Sequence, residues 1–579
     1  MQSILQYRRF RDLAENQLAT NPEKGLGLRQ QPTFRRIKHF SANETDPRDS
    51  RSGDEVSVVS SQNTLPHPDQ HNETHDDDEK ASISPSMGRL NASVTTKASE
   101  GDNSDITEAI VVGFEPTYDP LNPRDWSFGK RLIVTIVVSF MGVIVGWSSS
   151  IDSGIIPQYA DEFGVSEVVA SLSTGLFLVG FGTGAVMSGP FSETVGRNPI
   201  YIITLIVFML LLVGAGLAQN LAGQLVCRTL AGIFAATPLA CAGGTIADVW
   251  TPEEQVFAFP IYAIISFSGP VLGPVVGGWI GQSNLSWRWT EWVTLIGAGI
   301  ILITVVLFQP ETYAPILLKW KAIHLRRVTG DDRYQGEIEL RETSLPARLM
   351  LAMYRPVVML IQEPTVFLFS LYLTVAYIII FTFFTGYEFI YEGIYGLTQG
   401  ETALCFLGLA IGLLFCVPLI PLNAKLRSRD ITRTKETDPT GKTLPESRLY
   451  WAMIGAPALP ISMFWMAWTA RPDIPFWSPL AASVLTGFGM LCIFITCYQY
   501  LIDTYGTYAA SALSSLTLMR YLVSGAMIEA SIPFYKNLGV PYTLTILGCI
   551  SAVLVPIPYV FYRHGPQIRR RSRYSGNNY

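Results

Sequence analysis

Through most of this chain apolar residues come in unbroken runs of about twenty, separated by short polar clusters, rather than alternating with polar ones. A run of that length, wound at roughly 1.5 Å per residue, crosses the ~30 Å hydrocarbon core of a bilayer. Twelve runs are legible, near 132–151, 168–189, 200–219, 223–246, 257–280, 292–309, 365–387, 402–422, 450–469, 478–501, 509–531 and 542–562. Backbone amides cannot go unpaired in hydrocarbon, so each run is predicted to be an α-helix. A polar gap at 310–364 divides them six and six. Residues 1–125 differ: Ser, Asp, Glu, Asn, Pro and Thr crowd the stretch, and no apolar run interrupts it. Such a composition buries too little to fold and predicts a disordered tail. The expected fold class is an all-α membrane protein. Its parts are a tail at 1–125, a six-helix lobe at 126–309, a cytoplasmic central loop at 310–364, a second six-helix lobe at 365–562 and a basic cytoplasmic tail at 563–579.

Composition sharpens this. Of 579 residues, 49% are hydrophobic and only 15% charged, against roughly 25% charged in a soluble protein. Mean hydropathy is +0.28 even with the polar tail included. A soluble enzyme, a collagen-like chain and a wholly disordered chain are excluded. A net charge of −5 gives no electrostatic footprint for nucleic acid. All seven cysteines lie in apolar segments, as packing thiols do. Met1 to Phe40 carries scattered Arg and Lys without the apolar core of a signal peptide. His67, His71 and His75 adjoin an acidic run, but Pro66 and Pro68 oppose the helix that would align them. The expectation there is a solvated tail and no metal site.

Lys and Arg set the predicted orientation. They crowd the central loop (Lys319, Lys321, Arg326, Arg327), the loop after the eighth span (Lys425, Arg427, Arg448) and the C-terminus (Arg569, Arg570), while the opposite loops hold Arg288, Arg471 and Lys536. Both termini are therefore expected in the cytosol. Asn43, Asn72 and Asn91 head sequons in the tail; Asn284, in an outer loop, is the one glycosylation candidate.

Three clusters carry candidate chemistry. The loop after the second span reads Gly189-Pro190-Phe191-Ser192-Glu193-Thr194-Val195-Gly196-Arg197-Asn198, a tight turn whose acid and arginine can latch helix ends. The fourth span contains Arg228, followed by Gly232; an arginine in an apolar run costs several kcal/mol unless it faces a partner or cavity. The fifth span reads Gly269-Pro270-Val271-Leu272-Gly273-Pro274-Val275-Val276-Gly277-Gly278, where small residues permit close helix approach and prolines bend the axis. Asp248 and Asp503 end the fourth and tenth spans with an aromatic two residues on, the trace of a duplicated half. No histidine falls inside a span, so a proton relay must use carboxylates. Asp152, Glu388 and Glu529 are the candidates, with Arg520 midway along span eleven as a further buried charge. Tyr377, Phe381, Phe383, Phe384, Tyr387 and Phe389 fit either a substrate pocket or a lipid interface.

These patterns resemble the major facilitator superfamily. The Gly189–Arg197 loop is similar to its loop signature, with Glu193 for the usual aspartate and Asn198 for a second basic residue. Arg228-Thr229-Leu230-Ala231-Gly232 is similar to the arginine signature of its proton-coupled exporters. Gly269 to Gly278 looks like the antiporter signature of drug exporters, and Asp119-Pro120-Leu121-Asn122-Pro123, Trp287-Arg288-Trp289 and Pro310-Glu311-Thr312-Tyr313 fit the fungal drug:proton antiporters with twelve spans. The resemblance implies a monomeric, proton-coupled exporter of a drug, toxin, secondary metabolite or polyamine at the plasma membrane, or at the vacuolar membrane. It implies no catalytic residue and no cofactor. Its partners would be the substrate, protons and lipid. Taken with the charges read above, the candidate site residues are Arg228, Asp152, Glu388, Glu529 and Arg520 for coupling; Gly189, Glu193, Gly196, Arg197, Asp248 and Asp503 for gating; and Gly269, Pro270, Gly273, Pro274, Gly277 and Gly278 for direction. A proton-coupled importer on the same fold is the alternative. A receptor would show seven spans, and a membrane enzyme clustered His or Asp motifs.

Overall fold

In a computed structural model the described residues are 2–20, 95–96, 108–115, 118–340, 345–437, 445–570, 572 and 574. Two units separate. In the smaller, Leu28–Val111, strands β1 (Thr95–Thr96) and β2 (Glu108–Val111) pair antiparallel with Thr95 opposite Ala109. His67, His71, His75, Asn43, Asn72 and Asn91 lie outside the described residues.

The larger unit holds the helices. Spans one to seven are Phe128–Ser148, Glu167–Val195, Arg197–Gly216, Leu221–Val249, Gln255–Gln282, Trp289–Phe308 and Pro364–Tyr387. Spans eight to ten are Gln399–Thr432, Tyr450–Thr469 and Trp477–Tyr505. Among the described residues eleven segments are long and apolar enough to cross a membrane, and the last, Ala509–Arg569, contains two. It breaks at Gly539, whose φ of 76° and ψ of 167° leave the helix. Only glycine adopts that backbone without strain, and Pro541 two residues on lacks the amide to continue the old ladder. Spans eleven and twelve are thus 509–538 and 540–569, and the twelve-span, all-helical fold stands.

Spans two and four start on side-chain caps. The Ser166 hydroxyl accepts from the Val169 amide at 3.4 Å, and the Asn220 side chain from Gly223 at 2.7 Å. Spans three and six turn Ile203, Leu210, Ile296, Ile300 and Ile303 outward, as lipid-facing helices do, whereas spans seven and ten are buried on almost every side. Span two packs against span eleven and span five against span eight, forming the seam between the lobes.

One helix was not foreseen. Within the stretch expected as tail, Gln2–Thr20 is helical and seats on the face that carries the basic loops. Phe10 is buried among Leu121 and Leu317, and the Tyr7 ring lies 4.5 Å from His324 and 5.6 Å from Trp320. The central loop also contributes helices Ala314–Thr329 and Leu345–Gln362.

Candidate functional site

Arg228 is the centre of a buried cluster drawn from four spans. Its guanidinium pairs with Asp152, in the turn that follows span one, and its Nε lies 2.9 Å from Oε1 of Glu291 at the start of span six. Its remaining arm donates to the Ser148 carbonyl and hydroxyl, both at 3.1 Å. Asp152 accepts further from Ser173 of span two at 2.5 Å and from Thr290 at 3.3 Å. Gln224, one turn before Arg228, donates to Ser173 at 3.2 Å and to Tyr159 at 2.9 Å, so the ring of partners closes. Arg228, Asp152 and Glu291 are each no more than 2% exposed. Two carboxylates around one guanidinium leave a surplus of acidic groups in a place removed from solvent.

The expected coupling residues therefore divide. Asp152 joins Arg228. Glu529 instead accepts from Ser171 of span two at 2.9 Å, across the lobe seam. Glu388 is half-buried in the turn Glu388–Glu392 beyond span seven. Arg520 meets aromatic rings, not a carboxylate. Tyr377, Phe381, Phe383, Phe384 and Tyr387 are all buried, which settles them inside the protein and away from a lipid interface. Glu291 was missed. It sits one position outside the apolar run of span six, where an acid is ordinarily read as favouring the helix dipole.

Of the expected gating acids Asp248, not Glu193, holds Arg197, and Glu311 joins as an acid the sequence did not single out. Arg197 pairs with Asp248 at 3.2 Å and donates to Ser192 at 2.6 Å. Glu193, half-buried, acts on Arg197 only as a nearby charge. Glu311 accepts from the amides of Arg197, Asn198, Thr312 and Tyr313 at 2.9–3.2 Å. Burial pushes its carboxyl above the ordinary range, against the pull of those amides. Gly196, at φ 111°, lets the chain pass Glu311, and Gly189 faces open space. Asp503, the counterpart of Asp248, pairs with Arg448 at 2.7 Å, and Arg427 lies 3.8 Å away. Each lobe thus carries an arginine from the loop between its second and third spans on the acid that ends its fourth.

The glycines of span five serve contact. A Cβ on Gly269, Gly273 or Gly277 would run into backbone oxygens of Val143 and Trp147 in span one and of Ile151 in the turn after it, and one on Gly278 into Ala403 of span eight. Pro270 packs where Gly146 leaves room, and Pro274 is buried beside it in the same helix. Asn284 is exposed in the loop after this span. All seven cysteines are free thiols.

The chain's likenesses agree with this layout. The sequence profile of the Major Facilitator Superfamily matches residues 138–528. The MFS-type transporter kojT of Aspergillus flavus is 50% identical over 465 residues, 80% of this chain and 82% of that one. The ascochitine biosynthesis cluster MFS transporter of Didymella fabae is 34% identical over 487 residues, 84% of this chain and 92% of that one. Among solved structures the proton:xylose symporter XylE aligns with a TM-score of 0.55 at 16% identity, covering 76% of this chain and 97% of that one, which shows the fold alone.

Proposed function

The chain belongs to the major facilitator superfamily, and from that premise we propose that it is a proton-coupled exporter of a small organic compound at the plasma membrane, with both termini in the cytosol. The observation that carries this reading is the buried trio of Arg228, Asp152 and Glu291. Asp152 has two hydroxyl donors besides the guanidinium, while Glu291 has the guanidinium alone and is the acid that takes the proton. Spans one, two, four and six all supply atoms to the cluster, so charging Glu291 alters how those helices pack. Coupling arises because the two facing states hold that proton with different affinity.

Direction rests on the span-five stripe. Its glycines hold spans one and five against each other, and Gly278 carries the contact into the other lobe. The stripe's resemblance to the exporter signature supports outward transport. The biosynthetic-cluster relative supports a secondary metabolite as cargo. Cells expressing the protein should accumulate less of such a compound, and a protonophore should erase the difference. Proton-driven accumulation inside the cell would favour the importer instead.

A further inference from the structure

We infer that Arg520 anchors a subsite for a small planar organic anion, a carboxylate on a conjugated ring. This rests on the exporter reading and adds the charge and shape of the cargo. Arg520 is 0% exposed, yet among the described residues no carboxylate pairs with its guanidinium, whose polar neighbours are the phenols of Tyr498 and Tyr521. Other buried arginines each have a carboxylate within reach: Arg197 has Asp248, Arg228 has Asp152 and Glu291, Arg448 has Asp503, Arg569 has Glu446, and Arg427, whose three nitrogens lack a hydrogen-bond acceptor, has Asp503 at 3.8 Å. A desolvated guanidinium without an anion is out of keeping with the rest of the molecule.

Rings surround it. Their centroids lie at 4.6 Å (Tyr377), 4.7 Å (Tyr521), 5.4 Å (Tyr498) and 5.6 Å (Phe494) from its central carbon. Cation–π attraction favours the charge but acts through the face of each ring, and neutral phenols leave the fork of N–H donors without a balancing negative charge. That fork is what a carboxylate binds in bidentate fashion. Ser524, four residues on and so on the same helix face, is also buried with its hydroxyl unpartnered.

Both lobes build the walls. Phe259 and Phe267 of span five lie 5.9 Å from Tyr498 and 4.5 Å from Phe494, and Phe181 of span two lies 4.5 Å from Tyr521. The site is therefore at the seam that must rearrange in transport. Flat walls on a fixed positive charge select a flat anion. A row of rings also connects the box to the coupling cluster, since Phe177 is 6.3 Å from Phe181 and 5.5 Å from the Arg228 guanidinium.

The test is equilibrium binding to the purified full chain in detergent, with no ion gradient, followed by tryptophan fluorescence. Benzoate, benzamide and benzylamine share a shape and differ in charge. Benzoate should bind saturably and about tenfold or more tighter than benzamide, and benzylamine should not compete. Arg520→Gln should erase the preference for benzoate. Arg520→Lys should keep part of it, since charge persists without the fork. Melting curves check that each variant is folded; if the Gln variant is not, a severalfold drop in preference in the Lys variant carries the test. A parental protein that does not distinguish benzoate from benzamide, or variants with undiminished preference, would make Arg520 a packing residue and overturn the inference. Because no gradient is involved, export without benzoate preference sinks the subsite alone. Benzoate binding without pH-driven movement sinks the exporter reading alone.

Discussion

At Arg228 one cation faces two carboxylates in a place closed to water, and the consequence of removing it is lopsided. Arg228→Ala strands two buried acids, a loss on the order of 3 kcal/mol or more in stability. The protein that does reach the membrane should lose export driven by an imposed pH gradient. Arg228→Lys should recover part, because the charge returns without the planar fork. Export at the parental rate by the alanine variant would place coupling elsewhere. Glu291→Gln separates the roles of the acids: it keeps shape and removes the titrating oxygen. It should abolish gradient-driven export while leaving substrate exchange between the two sides intact, measured as counterflow in vesicles. Loss of exchange as well would mean that Glu291 holds the substrate or the fold instead. Arg228 and Asp152 were visible in the sequence because a charge stands out in an apolar run. Glu291 was not, because acids at helix starts are common, and the rings around Arg520 come from spans seven, ten and eleven, which no spacing rule joins.

At the scale of the element, the apolar runs located all twelve spans because hydrocarbon demands about twenty residues of helix wherever the chain crosses. The Gly539 break was not legible, since glycine inside a span has several ordinary uses. Nor was the N-terminal helix, whose composition is polar and whose burial depends on the distant Leu317 and Trp320. Gln6 exchanges hydrogen bonds with the Glu311 backbone at 3.0 and 3.2 Å, and Ser3 meets Asn198 at 2.6 Å. Deleting residues 2–20 should lower the melting temperature in detergent, Phe10 alone accounting for about 2 kcal/mol, while transport continues. Complete loss of transport in correctly inserted protein would make the helix part of the mechanism. In span five, Gly277→Ala forces a methyl against the Ile151 carbonyl and should cost about 1–3 kcal/mol. Gly189→Ala, with open space beside it, should leave the melting temperature unchanged. Equal effects would show that span one yields easily and that the stripe does not set its position.

At the scale of the whole molecule both ends of the seam are bridged. On the face without the basic loops, Gln399 donates to the Gly154 carbonyl at 2.8 Å and Gln282 accepts from the Gly400 amide at 2.7 Å. On the basic face, Arg448 reaches the Pro252 carbonyl at 3.0 Å and Gln499 that of Gln255 at 3.2 Å. These are a few neutral or singly charged hydrogen bonds, each worth about 1 kcal/mol, so either end can open at modest cost. That balance suits a carrier whose preference is tipped by one proton. The two-lobe layout was readable from the six-and-six division and from Asp248 and Asp503, whereas the bridging glutamines carry no signal in a single sequence. The measurement that bears most directly on the whole account uses the purified protein in sealed liposomes loaded with a conjugated organic acid, with a pH gradient imposed in either direction. The account predicts that acidifying the side facing the C-terminal tail's opposite face drives the compound toward that acid side, that proton flux accompanies it, and that Glu291→Gln abolishes both. Movement of compound in the same direction as the protons would contradict it.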